Sequence, residues 1–529
     1  MPTQDWFLTA TERANPASEL PVWSTGNLAE PLIHGATYFD RLVSEVNSLE
    51  AGDHLFFTDW RGDPDQLMAP EGPTVTQLFA QAAQRGVVVK GLVWRSHHHA
   101  LSFSHRQNRN ISEAISAAGG EVLLDQRVRR GGSHHQKLVV LRRLNDPERD
   151  VAFAGGIDLC HSRRDDADHR GDPQVVPMSP QYGDRPPWHD VQVALRGPVV
   201  GALDSTFRER WGDPNPLDAE NPLAYLYDRL RGVDQSAGPL PEQPADPPPC
   251  GPHRVQVLRT YPAVRPRYNF APRGERTIAR GYTKALCRAR RLIYVEDQYL
   301  WSTEVADLFA EALRNNPELH LVAVVPRYPD VDGRLALPPN VVGREQALAL
   351  CEKAAPDRVH VFDVENHDSD PVYVHAKLCV IDDVWASVGS DNLNRRSWTH
   401  DSELACAVLD DTRDEREPRD PAGLGDGART YARDLRLRLW REHLDRDPDG
   451  GQDEDLIDPE DAVRAIDAAA EALQEWHDSG RVGPRPPGRL RPHRPQRLPW
   501  FTRLWALPAY RLVYDPDGRP MRARRAKSW

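Results

Sequence analysis

The feature that most constrains this chain is an approximate internal repeat. A helix-like stretch that runs into an apolar, strand-like run occurs at residues 35–60 and again at 277–301. An aspartate stands at the end of that strand in each copy, Asp59 in the first and Asp297 in the second. A His-x-Lys pair follows 76 residues later in the first copy and 78 residues later in the second. Because strands and helices then alternate in the same order, the sequence predicts an α/β fold that is built twice.

Changes in composition divide the chain into four parts. A proline-rich segment over residues 234–254 is unsuited to a helix or a central strand and is interpreted as a linker. We therefore predict an N-terminal lobe over 1–233, a C-terminal lobe over 255–445 and an extension over 446–529 that is first acidic and then basic and aromatic. Compact structure is expected to end near Asp445.

Composition excludes several classes of protein. The sequence has no apolar run near the roughly 18 residues of a membrane-spanning helix and no signal-peptide pattern, which predicts a cytoplasmic location. Six cysteines without a CxxC pair argue against a disulfide framework or a zinc ribbon. The net charge of −12 argues against a general nucleic-acid coat, so no obligatory nucleic-acid partner is expected. Nothing in the sequence predicts an oligomeric state.

The two His-x-Lys pairs, His135 with Lys137 and His375 with Lys377, are the strongest functional signal. Residues two apart in an extended segment point to the same side, so each pair can contact one ligand. Only six of the 67 basic residues are lysine. Lysine at both equivalent positions therefore indicates a chemical requirement.

This set of side chains suits transfer at a phosphodiester. A neutral imidazole can attack phosphorus, the opposite imidazolium can protonate the departing oxygen, and two ammonium groups can neutralise the developing charge. We predict no metal and no other cofactor for this chemistry. Asp190 and Glu403 open matching strands after the two pairs and are expected to orient the imidazole rings.

The paired motifs resemble the phospholipase D superfamily, whose mark is two HxKxxxxD motifs. The second motif, HAKLCVID at 375–382, is complete and is followed by GSDN at 389–392. The first, HHQKLVVLR at 134–142, has Arg142 where the family has aspartate, and Asp146 or Asp150 could replace it.

Three further segments, GGIDL at 155–159, PWHD at 187–190 and YVEDQY at 294–299, resemble the eukaryotic-type branch of that superfamily. The resemblance spans roughly residues 26–445. It implies two pseudo-symmetric α/β/α lobes packed side by side, with the active site at their interface. It also implies hydrolysis or transphosphatidylation of a phospholipid head-group phosphodiester through a covalent phosphohistidine, giving phosphatidic acid.

By this resemblance His135 is the nucleophile and His375 the general acid and base, or the reverse. The phosphate oxygens would be held by Lys137, Lys377 and Asn392, with Ser390 as a weaker candidate. Asp158 occupies the position equivalent to Asn392, where an anion could not donate to phosphate. Glu296 and Gln298 flank Asp297 and are candidate substrate contacts, although closing the end of the sheet would explain them equally. Trp188 is interpreted as a packing residue.

Other interpretations stay open at this point. A nuclease or another phosphodiesterase of the same superfamily would use the same residues, and a non-catalytic lipid-binding or scaffold protein would explain Arg142. The segment 481–529 carries 13 arginine and lysine residues, which fits either peripheral contact with an anionic membrane or an arm lying over the acidic body.

Two histidine-rich stretches suggest metal binding but are interpreted as polar loops. The first is the run at 97–99 together with His105. The second is a dense group in the insertion between Cys160 and Pro187, comprising His161, Asp165, Asp166, Asp168 and His169. A divalent ion is the alternative for this second group.

Overall fold

The computed structural model describes residues 3–96, 104–217, 237–330, 337–496, 498–526 and 528–529. The histidine run at 97–99 and the first residues of the predicted linker, 234–236, lie outside the described residues. The described part of that linker, up to residue 252, contains no helix or strand.

Eighteen strands are present in the described residues. Strands β1 to β9 are Ser24–Ile33, His54–Asp59, Val88–Trp94, Glu121–Asp125, Leu138–Arg142, Val151–Gly155, Trp188–His189, Val191–Arg196 and His253–Tyr261. Strands β10 to β18 are Glu275–Arg276, Leu292–Asp297, His320–Val324, Val359–Val364, Tyr373–Val374, Lys377–Ile381, Trp385–Gly389, Glu403–Asp410 and Leu490–Pro492.

The two halves of the chain build one continuous sheet with the same strand order twice. The first half contributes β4-β3-β2-β5-β6-β8-β1 and the second contributes β13-β12-β11-β15-β16-β17-β9. Strands β1 and β9 join the halves through an antiparallel pairing. A separate two-stranded sheet pairs β7 of the first half with β14 of the second. The predicted duplicated α/β architecture is confirmed, and the two lobes share a sheet.

Helices cover both faces of the sheet, as expected for α/β/α lobes. Helices α1 to α7 are Ala10–Arg13, Gly35–Asn47, Val75–Gln84, His105–Ala117, Val199–Trp211, Thr277–Leu286 and Thr303–Asn315. Helices α8 to α14 are Leu337–Ala354, Arg395–Thr399, Thr430–His443, Glu454–Ile457, Pro459–Asp478, Trp500–Ala509 and Met521–Arg525. No helix in the described residues combines the length and the apolar character needed to cross a membrane.

Alternation along the strands determines which helices each face contacts. Leu138 and Val140 of β5 pack in the same core as α5 and α10, which lie on one face and serve both halves. Val139 and Leu141 face the opposite side, where α2, α3 and α4 cover the first half. The equivalent side of the second half is covered by α6, α7 and α8. Because side chains alternate between the two faces of each strand, both faces are apolar and the sheet lies between two layers of helices.

The C-terminal extension is part of the compact fold, which corrects the expectation that compact structure ends near Asp445. Strand β18 pairs antiparallel with β13 and adds an edge strand to the sheet. Helix α12 begins at the N-cap Asp458, whose side chain accepts backbone N–H groups, and has Pro459 in its first turn. Its apolar residues Val463 and Ile466 join the main core.

Candidate active site

Each candidate catalytic histidine is held by a carboxylate from the opposite half of the chain. The Nδ1–H group of His135 donates to Oε2 of Glu403 over 2.9 Å. The Nδ1–H group of His375 donates to Oδ2 of Asp190 over 2.7 Å. Both carboxylates singled out in the sequence thus contact an imidazole, and each one crosses the interface to do so.

The backbone repeats this crossed arrangement. The N–H group of His135 donates to the carbonyl of Ser402 over 2.9 Å, and that of His375 donates to the carbonyl of His189 over 2.7 Å. In both cases the accepting residue directly precedes the carboxylate that binds the ring. Each histidine is therefore fixed by the other half at two points, at its backbone and at Nδ1.

The second ring nitrogen of each histidine is left for a ligand. The side chains of His135 and His375 retain 14% and 6% exposure. Within the described part of the chain, no hydrogen bond involves either Nε2 atom. Because Nδ1 carries its hydrogen towards the carboxylate, the Nε2 atom of a neutral ring keeps a free lone pair.

Burial and the two lysines favour the neutral form of both rings. Burial lowers the pKa of His135 well below its usual value, and the charges of Lys137 and Lys377 lower it further. Burial, Lys377 and Lys137 have the same effect on the pKa of His375. Since each lysine acts on the histidine of the opposite half as well as on its own, the four groups share one electrostatic environment.

The two carboxylates resist ionisation. Burial, with the neighbouring Asp401, raises the pKa of Glu403 to about 8. Burial also raises the pKa of Asp190. Near neutral pH Glu403 therefore favours its protonated form, and its pair with the neutral His135 ring carries no net charge. The interface carries less negative charge than its carboxylates alone would give, which favours the approach of an anionic phosphate.

The lysine ammonium groups contact different partners in the two halves. Nζ of Lys137 lies 3.2 Å from Oδ1 of Asp158, and Nζ of Lys377 donates to Oε1 of Gln298 over 3.2 Å. Burial lowers the pKa of Lys377 to about 8. Asp158, where the second half has an asparagine, thus pairs with a lysine.

Asp59 and Asp297 have equivalent structural roles. Oδ2 of Asp59 accepts the N–H group of Leu159 over 2.9 Å, and Oδ2 of Asp297 accepts that of Leu393 over 2.8 Å. Each aspartate ties the end of its strand to the loop that carries Asp158 or its counterpart. The similar spacings in the sequence therefore reflect equivalent positions in the fold.

The two candidate phosphate contacts of the GSDN segment differ in their environments. Asn392 is 4% exposed, and its Oδ1 atom has no hydrogen-bond partner among the described residues. The hydroxyl of Ser390 donates to Oε2 of Glu403 and accepts the N–H group of Leu404 over 3.1 Å. Its hydroxyl therefore fixes Glu403, and a contact of Ser390 with substrate stays a prediction.

The two candidates flanking Asp297 also diverge. Gln298 lies at the site, where its amide contacts Lys377 and donates to the hydroxyl of Tyr373 over 2.7 Å. Glu296 is fully buried, and its two oxygens accept from His189 and His443, each over 2.6 Å. The carboxylate of Glu296 is thus occupied by these two histidines, and its contact with substrate stays a prediction.

An aromatic side chain lies near each of the two histidines. The rings of Trp60 and His135 have centroids 6.0 Å apart, and those of Trp188 and His375 are 5.0 Å apart. Arg163 stacks on Trp188 with its guanidinium carbon 3.9 Å from the ring centroid. Trp60 directly follows Asp59, so its position at the end of the first repeated strand could have indicated that it lies near the site.

In the second half, the aspartate of the complete motif supports local structure. The carboxylate of Asp382 accepts three consecutive backbone N–H groups where β11 begins, at distances of 2.7 to 2.8 Å, from Arg290, Arg291 and Leu292. It lies on a turn and makes no contact with the histidines. The presence of Arg142 in place of aspartate at the equivalent position of the first half therefore does not imply the loss of a reacting group.

Arg142, the residue that replaces aspartate in the first motif, is fully buried and paired. Its guanidinium donates to Asp150 over 2.7 Å, to Asp204 over 3.0 Å and to the carbonyl of Ala245 over 2.6 Å. Asp150 is thus the partner of Arg142 and does not take over the backbone contacts made by Asp382. The arginine instead ties β5 to α5 and to the segment that follows the first half.

Arg142→Ala is expected to destabilise the fold by about 3 kcal/mol or more, because it leaves Asp150 and Asp204 buried without this partner. Arg149→Ala is the matched control, since its ion pair with Asp146 is half exposed and 3.9 Å long, and it should cost less than about 1 kcal/mol. Urea unfolding of both variants measures the difference. Equal stability of the two would contradict the structural role of Arg142.

Comparison with known proteins places this site in a family. The family model described as Phospholipase D matches residues 63–221, and that described as Cardiolipin synthase, PLD-like domain, matches 282–415. Each match contains one of the two His-x-Lys pairs, and together they cover more than half of the chain.

Similar curated proteins are phospholipases D. The chain is 24% identical to phospholipase D alpha 1 of Ricinus communis over 88% of its own length and 70% of the relative. It is 26% identical to phospholipase D A of Dictyostelium discoideum over 77% of its length, which spans 35% of that longer protein. Among solved structures, phosphatidylserine synthase of Haemophilus influenzae matches with a TM-score of 0.51 at 14% identity, covering 76% of this chain and 86% of the other.

Two lobes that bring paired histidines and lysines to one interface define a phosphodiesterase of the phospholipase D type. The chain belongs to the phospholipase D superfamily, with affinity to its eukaryotic-type members. The resemblance inferred from the motifs is thereby confirmed.

Proposed function

We propose that this chain cleaves the head-group phosphodiester of a phospholipid, or transfers the phosphatidyl group to another alcohol, through a covalent phosphohistidine. The observation that supports this proposal best is the crossed pairing of His135 with Glu403 and of His375 with Asp190. It leaves the Nε2 atoms of two rings, one from each half, without a hydrogen bond among the described residues. Phosphatidic acid is the product when water is the acceptor.

The reaction proceeds in two displacements. In the first, Nε2 of His135 attacks phosphorus and the bond to the head-group oxygen breaks. His375, which takes up a proton on Nε2 when the phosphate anion binds beside it, gives that proton to the departing oxygen. In the second, His375 takes a proton from water or an alcohol, whose oxygen attacks phosphorus and breaks the bond to nitrogen. Lys137, Lys377 and Asn392 stabilise the charge on the non-bridging oxygens. Each imidazole ends the cycle as it began.

A direct comparison of substrates tests the choice of a lipid over a nucleic acid. We expect the purified chain to release choline from phosphatidylcholine vesicles at least about 100-fold faster, per site, than it cleaves single-stranded DNA, since superfamily chemistry is shared and the acidic body repels a polyanion. Faster cleavage of DNA would favour a nuclease. Vesicle binding without turnover of either substrate would favour the non-catalytic alternative.

The C-terminal segment offers a surface suited to a lipid bilayer. Helix α13 and the π-helical turn after it, Tyr510–Tyr514, expose large apolar side chains, comprising Trp500, Phe501, Leu504, Trp505, Leu512 and Val513. Basic residues such as Arg511 lie among them. We refer to residues 500–513 as the apolar tail surface. Mixed aromatic and basic character is typical of segments that bind anionic membranes at the interface.

The apolar tail surface is connected to the candidate active site. Tyr510 is buried, and its ring centroid lies 6.2 Å from that of Trp301. The ring of Tyr299 lies against Trp301, with centroids 3.9 Å apart, and Gln298, which contacts Lys377, directly precedes Tyr299. A bilayer held by this surface would therefore lie near the candidate active site. Elsewhere in the tail, Arg519 is buried.

The double variant Trp500→Ser with Leu512→Ser is expected to weaken binding to phosphatidylserine-containing vesicles by about tenfold or more, because each exposed side chain loses its transfer into the interface. Vesicle sedimentation measures the change. Hydrolysis of a short-chain monomeric phospholipid should stay the same. Leu144→Ser, which alters an apolar side chain that is 50% exposed on the first half, is the control. Equal vesicle binding by both variants would contradict the docking proposal.

A further inference from the structure

A second cluster of ionisable side chains lies behind the candidate active site and joins the two halves of the chain. Its members are His34, His169, His189 and Glu442. The three histidines belong to the first half and the glutamate to α10 of the second. One ring nitrogen from each histidine and one carboxylate oxygen lie within 4.8 Å of one another. These residues are up to 408 positions apart in the sequence, so no local motif connects them.

The glutamate is the centre of the cluster. Oε2 of Glu442 lies 2.7 Å from Nε2 of His34, and Oε1 lies 2.9 Å from Nε2 of His169. Nδ1 of His189 lies 3.6 Å from the same Oε1 atom. Three ring nitrogens therefore converge on one carboxylate.

The outer contacts of two rings determine which nitrogen faces the glutamate without a hydrogen. Nδ1 of His169 lies 3.1 Å from the carbonyl of Trp188, which can only accept, so this nitrogen carries the hydrogen. Nε2 of His189 donates to Glu296 over 2.6 Å. In their neutral forms both rings consequently direct a lone pair at Glu442. Nδ1 of His189 is fully buried and has no hydrogen-bond partner among the described residues.

Lone pairs directed at a carboxylate repel it unless a positive group lies between them. Charging both rings as imidazolium ions is one solution, but it places two cations side by side, since the ring centroids of His169 and His189 are 5.6 Å apart. A divalent cation is the other solution. It would turn three lone pairs and a carboxylate into ligands, and its two charges would match those of Glu442 and Glu296.

We propose that His34, His169, His189 and Glu442 bind one divalent transition-metal ion that holds the two lobes together. Imidazole and carboxylate are ligands that zinc accepts in tetrahedral sites, and four protein ligands are the mark of a structural centre. Zinc bonds of about 2.0 to 2.1 Å place tetrahedral ligands roughly 3.3 Å apart, so closure requires movements of about 1 Å.

Two further observations fit such a centre. His34 and His169 have positive φ angles of 69° and 53°, a conformation that costs free energy for a residue other than glycine and is concentrated at functional sites. Glu296 orients His189 from outside the cluster and also accepts from His443. A carboxylate behind a histidine ligand, which fixes its tautomer and raises its basicity, is a regular feature of metal centres.

The proposed ion is separate from the phosphodiester chemistry. Its ligands do not include either His-x-Lys pair, and the proposal does not depend on the proposed function. Because His189 is adjacent to Asp190 and its carbonyl holds His375, the ion would also stiffen the support of one catalytic ring. We expect the ion mainly to stabilise the contact between the two lobes.

Metal analysis of the full-length chain tests the proposal. After incubation with zinc sulfate and gel filtration, we expect about one zinc ion per chain by mass spectrometry, and removal of the ion should lower Tm by roughly 5 °C or more. Loading with cobalt(II) instead should give the visible absorption bands of a tetrahedral site. Glu442→Gln should lose the ion, whereas Glu471→Gln, on the exposed face of α12, should retain it.

The wild-type chain alone can overturn the proposal, even if Glu442→Gln fails to fold. Well under about 0.1 zinc per chain, no cobalt absorption and a Tm that ignores added metal would identify the cluster as a network of protonated histidines. Retention of a full equivalent by a folded Glu442→Gln variant would also overturn the proposal. A phosphohistidine experiment does not depend on any of these results, so the failure of one proposal does not imply the failure of the other.

Discussion

Replacing either His135 or His375 by alanine is expected to reduce turnover of phosphatidylcholine by about 1,000-fold or more, because each variant removes one of two groups that act together on phosphorus. Among the described residues each ring makes one side-chain hydrogen bond, so folding should persist. His367→Ala is the control, since its ring is half exposed, pairs with Asp445 and lies in no motif. Choline release and circular dichroism of the three variants measure the effects.

The same two variants assign the order of the roles. If His135 is the nucleophile, His375→Ala should still attack a substrate whose leaving group needs no proton, such as a p-nitrophenyl ester, and release one equivalent of nitrophenol. His135→Ala should release none. A burst from His135→Ala alone would reverse the assignment. Full steady-state activity in either variant would contradict the two-histidine mechanism.

The second large effect is expected from the carboxylates that cross the interface. Glu403→Gln and Asp190→Asn should each lower kcat by about 100-fold to 10,000-fold, with a much smaller change in KM, because the ring loses the group that fixes its tautomer and supports its positive charge. The amide variants keep the size of the side chain. A comparable rise in KM without a fall in kcat would show that the carboxylates act in binding instead.

A spectroscopic readout distinguishes the crossed pairing from its alternative. In chains labelled with ¹⁵N histidine, Glu403→Gln should change the ring signals of His135, and Asp190→Asn should change those of His375. Glu471→Gln is a neutral control at an exposed position. A response of His375 to Glu403→Gln, with His135 unaffected, would contradict the pairing seen in the structure.

Much of the architecture could be predicted because the same order of helices, strands and motif residues occurs twice in the sequence. Asp59 and Asp297 have similar spacings to their histidines because both halves keep the same contact. In each half the aspartate accepts a backbone N–H group from a following loop. The carboxylates Asp190 and Glu403 could be identified from their positions at the start of strands. The sequence could not show which histidine each carboxylate contacts, because each contact joins the two halves and depends on how the lobes pack.

Other features depended on contacts between residues that are distant in the sequence. Alternation placed Glu296 on the face opposite Asp297, but its partner His443 lies 147 residues away. Strand β18 was missed because arginine and proline surround it, and such residues are tolerated at an edge strand. The metal ligand proposed at His169 was attributed to a polar loop, since its neighbours in space are absent from its own segment.

In the proposed mechanism, one histidine from each half acts on the same phosphorus atom. The most direct test is acid-quench mass spectrometry of the wild-type chain and of His375→Ala during reaction with a phosphatidyl-labelled substrate. We expect a phosphatidyl adduct on His135, which is transient in the wild type and accumulates in His375→Ala. Continued turnover with no adduct on His135 or His375 in either protein would contradict it.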